Sequence, residues 1–458
     1  MDTFDFIVIG AGPAGEAAAH EARARGATVA IVDAGWFGGS CPHIGCVPSK
    51  ALLHSAAIHA SGAPYPWSRA SSRRDWMVNR APDAAEPDDS SHVEALRRAG
   101  AEPIRGRARI VAPGRVDVRG QDGDRSLAAR DVIVAVGSSS KAPAIPGLEG
   151  VPVWSNREAT LARELPRSLV VLGGGPTACE LAQVFVRFGV PTTLVQSRDR
   201  LLPSDHPRNA ETVLEALRRD GVDVRLGVRA VEARAGAGPD GTHSIVLGDG
   251  SSVSGAVVLE AVGRSFPLPG LGLEVYGLDA STPEGIPHDG RLRAAEGLWI
   301  VGDPAGPELH THQGHYQGEL AVRMALGDAV TPDYRALPRA TYTDPEAAFV
   351  GLTVEGARAA GHDPVELSVP FAETARGYGI EADLGHLTII VDRRSRELVG
   401  AAIACPDASA AIHECVLAIR ARIPMDVLAD TIHAFPSTSR AMGGLFAQAL
   451  TELGGPPA

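Results

Sequence analysis

The sequence predicts an α/β fold with two Rossmann-like nucleotide-binding βαβ units and a C-terminal α+β domain. Three observations carry this. A glycine-rich turn joins a short apolar strand to an Ala-rich helix within residues 6–33. The same design returns at residues 168–195, about 160 residues later. From about residue 335 the pattern changes to alternating strand-like runs with two amphipathic helices.

The first unit starts with Phe6 to Ile9, a buried-strand run, followed by Gly10-Ala11-Gly12-Pro13-Ala14-Gly15. Glu16 to Arg25 reads as a helix because Ala and Arg dominate it, and Gly26 ends it. Thr28 to Val32 is the second strand, closed by Asp33. Residues 61–91, rich in Pro, Ser, Arg and Asp, are expected to form a surface excursion or loosely ordered connection. From Ile104 to Val136 short β-like runs alternate with turns and end in Gly137-Ser138. The second unit has strand Leu169–Leu172, turn Gly173-Gly174-Gly175-Pro176-Thr177-Ala178, a helix from Cys179 to Phe188 and strand Thr192–Val195. Val257–Arg264 and Leu298–Asp303 are further strand-like runs.

Composition narrows the function. The 458 residues suggest two to four domains. A net charge of −12 gives no reason to expect nucleic acid or an anionic membrane as partner. No apolar run approaches a membrane span, and Met1-Asp2-Thr3-Phe4-Asp5 lacks the basic start of a signal peptide, so a cytoplasmic protein is expected. Five cysteines, Cys41, Cys46, Cys179, Cys405 and Cys415, are too sparse for a disulfide framework. The last three read as packing residues.

Gly10, Gly12 and Gly15 form G-x-G-x-x-G between strand and helix. The first glycine permits the tight turn, the second lets a pyrophosphate reach the backbone, and the third lets helix and strand pack closely. The helix N-terminus then faces the phosphates, and Asp33 is placed for a ribose 2′-hydroxyl. The second unit carries Gly173, Gly175 and Ala178. No acid ends its second strand, which runs into Val195-Gln196-Ser197-Arg198-Asp199-Arg200. That removes repulsion against a 2′-phosphate, and Arg198 and Arg200 are candidates to pair with one, so NADPH is favoured with NADH possible. The bland alternative is that these arginines are solvated loop residues.

Gly38-Gly39-Ser40-Cys41-Pro42-His43-Ile44-Gly45-Cys46-Val47-Pro48-Ser49-Lys50 is the most specific stretch. C-x4-C alone fits two buried cysteines or half a metal site, but no further C-x-x-C or His pair follows, and no metal is expected. A thiol pair just after a dinucleotide-binding unit suits thiol–disulfide exchange, and Lys50 is a candidate to lower a nearby thiol pKa.

This stretch resembles the active site of the FAD-dependent pyridine nucleotide–disulfide oxidoreductases, the group of dihydrolipoamide dehydrogenase, glutathione reductase and mercuric reductase. The resemblance runs over nearly the whole chain. Ala135-Val136-Gly137-Ser138 is similar to the family's A-T-G segment, and Ala261-Val262-Gly263-Arg264 to the segment closing the nicotinamide domain. Ile300-Val301-Gly302-Asp303 matches the second FAD segment, whose acid binds the flavin side chain. Tyr342-Thr343-Asp344-Pro345-Glu346 opens a segment similar to the dimerisation domain. The resemblance implies FAD binding by residues 1–150 and 265–334, nicotinamide binding by 151–264 and a homodimer interface in 335–458. It implies that Cys46 is the thiolate against the flavin, Cys41 the interchange thiol, and Lys50 with Glu180 an ion pair near the flavin's reactive nitrogen. Electrons would then pass from NADPH through FAD and the Cys41–Cys46 disulfide to substrate.

The C-terminal segment departs from the family. Most members carry H-P-x-x-x-E, supplied across the dimer interface as an acid–base pair. This chain reads His433-Ala434-Phe435-Pro436-Ser437-Thr438-Ser439-Arg440, so Phe435 holds the histidine slot and Arg440 the glutamate slot. Phenylalanine moves no proton, and a positioned acid–base is typically worth about 10²–10⁴-fold. His433, His43 and His315 are candidate replacements, each with a structural alternative. The 2-ketopropyl-coenzyme M oxidoreductase/carboxylase also has phenylalanine at this slot. It differs in lacking the lysine of Pro48-Ser49-Lys50 and in carrying a sulfonate-binding arginine where this chain has Glu16, which would repel a sulfonate. A mercuric reductase is disfavoured because no cysteine pair lies near the C-terminus. The expectation is an enzyme that reduces a small-molecule disulfide or cleaves a C–S bond in a thioether. The alternatives are a C–S-cleaving carboxylase, a flavin-direct quinone or nitro reductase, and a non-catalytic redox-sensing protein.

Overall fold

A computed structural model describes residues 1–81, 86–121, 123–281 and 285–455. The chain forms two compact bodies. The first comprises Met1–Ala51, Ser71–Lys141 and Gly263–Pro332; the second comprises Leu52–Ala70, Ala142–Val262 and Asp333–Ala458.

In the first body, β1 (Asp2–Ile9) is followed by α1 (Pro13–Ala24), β2 (Val29–Asp33), the short α2 (Ser40–His43) and the start of α3 (Cys46–Ala60), whose residues from Leu52 on belong to the second body. Phe6 to Ile9 is buried on both faces, which suits the centre of a parallel sheet. Parallel neighbours run outward from it in both directions. On one side lie β2 and then β3 (Glu102–Arg105); on the other lie strands Gly123–Val134 and Leu298–Ile300. A hairpin, Arg107–Ala112 with Arg115–Gly120, extends antiparallel from strand Gly123–Val134 and buries alternate residues such as Ile110, Val116 and Val118. α1 packs against helix Thr311–Ala325 at backbone distance, because a Cβ on Gly318 would lie 2.1 Å from the Ala14 carbonyl oxygen. Helix Thr311–Ala325 is thereby fixed to the N-terminal glycine turn and its helix.

Residues 61–91 differ from expectation. They include α4 (Trp67–Asn79) and lead into α5 (Ser90–Arg98), while residues 82–85 lie outside the described ones. The buried positions in α4 are Trp67, Ala70, Ser71, Arg74 and Asp75, a helical i, i+3, i+4, i+7, i+8 stripe. Three of those five are polar, so the stripe has no hydrophobic period to read.

In the second body a parallel sheet runs in the order Asp223–Arg225, Thr192–Val195, Leu169–Leu172, Val257–Glu260, Val153–Trp154. A three-stranded antiparallel flap of Ala230–Arg234, His243–Leu247 and Ser252–Gly255 follows. The C-terminal region is a five-stranded antiparallel sheet in the order Pro338–Thr341, Glu346–Gly351, Leu398–Cys405, His386–Asp392, Pro364–Pro370. Helices Ala408–Ala421 and Thr438–Glu452 belong to the same region. Two of its three inner strands, Leu398–Cys405 and His386–Asp392, are buried at every residue, and Cys405 and Cys415 lie in that core.

The sheet and the nucleotide unit are joined by polar ties. Gln183 accepts the Asp344 N–H at 2.8 Å and donates to the Asp344 carbonyl at 3.0 Å. Asn209 donates to the Ala348 carbonyl at 2.9 Å. No helix among the described residues is long and apolar enough to cross a membrane.

Candidate active site

The two nucleotide-binding turns are built alike at atomic detail. Gly10 has φ +104, and a Cβ there would lie 2.3 Å from the Ala135 carbonyl oxygen; Gly173 has φ +116, with Ala261 oxygen at 2.2 Å. Gly10 N–H donates to Val32 O and Gly173 N–H to Val195 O, at 2.8 and 2.9 Å. Only glycine satisfies both the left-handed backbone and the close approach. The two differ in the third slot. A Cβ at Gly15 would fall 1.9 Å from Gly10 O, whereas Ala178 fits in the second unit.

Gly12 and Gly175 cap their helices in extended conformation, with Pro13 and Pro176 next and no side-chain cap on either. The first-turn N–H groups receive no acceptor from a cap side chain, the arrangement that suits an anion at a helix N-terminus. Above Gly12 a Cβ would meet nothing closer than the Gly39 Cα at 3.8 Å. This uncapped, open cradle fits a dinucleotide diphosphate. Asp33 closes β2 and accepts N–H bonds from Ala11 and Gly35, both at 2.6 Å, while burial pushes its carboxyl pKa up. The loop that follows is pinned by Asp89, which accepts the Phe37 N–H at 2.8 Å and pairs with Arg105 at 2.6 Å. The Arg105 guanidinium lies 5.0 Å from the Phe37 ring centroid.

At the other end of the cradle, Gly137 follows strand Gly123–Val134 and Gly263 precedes the Arg264–Ser265 strand, which pairs with Ser139–Ser140. Ser138 donates its hydroxyl to Asp303, and Arg264 donates to both the Ser138 hydroxyl and, at 2.8 Å, its carbonyl. Arg264 Nε also stands 3.7 Å from the Asp303 carboxylate. Asp303 is thus held by a serine and an arginine whose connecting role the sequence did not disclose.

Cys41 lies in α2 and Cys46 opens α3. They stand as two thiols, Cys41 half-buried and Cys46 exposed. The Cys46 sulfur hydrogen-bonded to Cys41 is the main cause that pushes the Cys41 thiol pKa up, with burial second. Two thiols in contact resist losing both protons. Thr311, first residue of helix Thr311–Ala325, places its hydroxyl 3.7 Å from Cys46 Sγ and also bonds Cys41, opposing that rise. Sequence reading missed Thr311; its only signal was its place at a helix start downstream of Asp303. Among the described residues no group of three or more His, Cys, Asp or Glu is arranged to hold a metal.

Lys50 lies on α3 in the first body. Glu180 belongs to helix Pro176–Arg187 of the second body, is buried, and accepts the Tyr342 N–H at 3.0 Å. In the second unit Gln196 is buried and donates to the Arg200 carbonyl at 3.3 Å. Arg200 itself donates to the Pro203 carbonyl at 2.8 Å, while Arg198 is exposed.

The candidate histidines are placed differently. His43 is 1% exposed, and its Nε2 is held by the Phe37 carbonyl at 2.9 Å. His433 is tucked in, with Nε2 at 2.6 Å from Glu414 Oε1 and its side chain 7% exposed, whereas Phe435 is 74% exposed. His315 is paired on the helix surface with Glu319 at 3.1 Å. Glu16 is not a bare carboxylate: His92 Nδ1 lies 2.9 Å from it.

Comparison with known proteins agrees with this geometry. Residues 4–318 match the family model described as pyridine nucleotide-disulphide oxidoreductase, and residues 337–445 match that family's dimerisation domain. Dihydrolipoyl dehydrogenase 3 of Pseudomonas aeruginosa is 34% identical over 457 residues, covering 96% of this chain and 97% of its own. Dihydrolipoyl dehydrogenase of Halobacterium salinarum is 32% identical over 95% of this chain and 94% of its own. Among solved structures, the Cu(II) complex of the HOCl-induced flavoprotein disulfide reductase RclA from Escherichia coli superposes with a TM-score of 0.86 at 25% identity, covering 98% of this chain and 100% of that one. The chain therefore belongs to the pyridine nucleotide-disulphide oxidoreductases, flavin enzymes that pass electrons between NAD(P)H and sulfur groups.

Proposed function

We propose that this protein is a cytoplasmic, homodimeric, NADPH-dependent reductase of a small-molecule disulfide, working through Cys41 and Cys46. The observation that carries the reading is the thiol pair itself: one half-buried and one exposed sulfur, hydrogen-bonded to each other and to Thr311, beside an uncapped dinucleotide cradle. Gly10, Gly12, Gly15, Asp33, Gly137 and Asp303 would hold FAD, which when bound supplies a two-electron relay between nicotinamide and sulfur. Gly173, Gly175, Arg198 and Gly263 would hold NADPH.

Cys41 is the interchange thiol of this reading. Its sulfur attacks the substrate disulfide, forms a mixed disulfide and expels one thiolate. Cys46 then attacks Cys41, closes the internal disulfide and releases the second thiolate.

Anaerobic NADPH titration of the purified flavoprotein tests the reading. A long-wavelength thiolate–flavin band is expected after two electrons. Reduction of the flavin with no such band would overturn it. For the cofactor choice, Arg198→Glu is expected to raise KM for NADPH about tenfold or more, leaving kcat and NADH kinetics nearly unchanged. Equal effects on the two nucleotides would remove the phosphate role of Arg198.

A second reading, C–S cleavage with carboxylation of the product, is favoured by one observation, the exposed Phe435 in place of an acid–base. Labelled bicarbonate appearing in the product of a thioether substrate would select it.

A further inference from the structure

Electron transfer between a flavin and a thiol pair needs both held in one register, and in this chain the two holders lie on one short stretch. Asp303 stands at its start, and Thr311, whose hydroxyl reaches both thiols, follows eight positions later. Between them the chain makes a single 3₁₀ turn, Asp303–Ala305, and then runs irregularly to helix Thr311–Ala325. Backbone N–H and C=O groups in such a stretch need partners from elsewhere.

Two glutamines of that helix supply them. Gln313 and Gln317 lie four positions apart, so they share one helix face, and they are 1% and 0% exposed. Gln317 accepts the Gly302 N–H at 2.8 Å and donates to the Gly306 carbonyl at 2.7 Å. Gln313 accepts the Glu308 N–H at 3.0 Å and donates to the Gly306 and Glu308 carbonyls at 2.7 and 2.8 Å. Each carboxamide uses its oxygen and its nitrogen together, which neither a carboxylate nor a hydrocarbon side chain can do. Both amides meet at the Gly306 carbonyl, so the two clamps share their central point.

The helix that carries them is set closely against α1. A Cβ on Gly314 would lie 3.3 Å from the Ala14 Cβ and 3.4 Å from the Gly302 Cα, and Gly302, with φ +75, faces the same Ala14 Cβ at 3.3 Å. On its other side Asp303 receives the Ser138 hydroxyl, with Arg264 Nε at 3.7 Å. Asp303 is thus fixed through its carboxylate and, by way of Gly302 and Gly306, through its backbone.

We propose that Gln313 and Gln317 are positioning residues of the redox centre, which pin the Gly302–Glu308 loop so that the Asp303 carboxylate and the Thr311 hydroxyl keep one register. The proposal rests on the reading that Asp303 holds FAD and that Cys41 and Cys46 are the redox pair. Gln317, bonded beside Asp303, governs the flavin end. Gln313, bonded just before the helix start, governs the thiol end. Each acts through the loop and not on the reacting atoms.

Gln313→Leu and Gln317→Leu keep the bulk and remove the bonds. Apoprotein refilled with FAD and followed by flavin fluorescence is expected to show a Kd raised about tenfold or more by Gln317→Leu, and by less in Gln313→Leu. In the reduced protein, the rate of iodoacetamide alkylation of Cys41, followed against pH by peptide mass, is expected to move to higher pH in Gln313→Leu, because the Thr311 hydroxyl opposes the rise in the Cys41 thiol pKa. Thr311→Val should give the same shift. The double variant of Gln313→Leu with Thr311→Val should shift no further than Thr311→Val alone, since the glutamine then has no hydroxyl to position.

A lowered denaturant midpoint with unchanged FAD Kd and superimposable alkylation profiles would mean that the glutamines only stabilise the fold, and would overturn the proposal. Additive shifts in the double variant would overturn it too. The long-wavelength thiolate–flavin band keeps two failures apart. Per bound flavin it is expected to fall by about half or more in both glutamine variants, and full intensity there would overturn the positioning role alone. Wild-type protein without the band would instead overturn the dithiol reading itself.

Discussion

Cys46→Ser is expected to reduce NADPH-dependent disulfide turnover by at least about 10³-fold while leaving FAD bound, because removing one member of a unit that acts together costs most of its chemistry. Without the second sulfur, Cys41 can form a mixed disulfide but nothing within the protein resolves it. The first thiol is released once and the enzyme stalls. Mass spectrometry of the stalled protein should find substrate on Cys41 in stoichiometric amount. Cys41→Ser should abolish even that first release. Quinone reduction measured on the same two variants separates the flavin-direct alternative, which predicts undiminished activity in both. Sustained disulfide turnover by Cys46→Ser would show that the Cys41–Cys46 hydrogen bond in the structure has no catalytic meaning.

Gly318→Val is expected to destabilise the first body by about 3 kcal/mol or more. The clash is with backbone: even a Cβ at 318 would lie 2.1 Å from Ala14 O, 3.1 Å from Ala14 C and 3.1 Å from Ala18 N. No side chain can rotate away, so helix Thr311–Ala325 must move off α1. That helix also carries Thr311 to the thiols. The denaturant midpoint should fall, and FAD fluorescence should appear in solution well before secondary structure is lost. Gly444→Val, where a Cβ would meet nothing within 4 Å, is the control and should leave flavin retention unchanged. Equal flavin retention by the two variants would argue against backbone contact as what joins the two flavin-binding segments.

Much of the architecture was legible because it depends on local necessity. Gly10 and Gly173 must be glycine for left-handed backbone against a carbonyl oxygen, so the turn repeats as a readable pattern in both units. Runs such as Leu169–Leu172 and Phe6–Ile9 are buried on both faces and must be apolar throughout. α4 was not legible, because its buried stripe includes Ser71, Arg74 and Asp75. Arg74 pairs there with its neighbour Asp75 at 2.8 Å, and a buried ion pair leaves no hydrophobic periodicity. Cys41 and Cys46 were found by spacing, but the Thr311 hydroxyl reaches them from 265 positions away from Cys46.

The histidines show the same division. His43 stood beside Cys41 in sequence and read as a replacement base; the fold buries it against Phe37 O. His92, separated from Glu16 by 76 positions, carried no signal, and the fold sets its Nδ1 2.9 Å from that carboxylate. Sequence by itself determined the two glycine turns, the cysteine pair and the loss of histidine at Phe435, because each is fixed by residue type within a few neighbours. Only the tertiary structure decided which titratable groups face each other, how Ser138 and Arg264 hold Asp303, and which histidine meets a carboxylate. Those outcomes depend on burial and on contacts between segments distant in the chain, and both are set by packing.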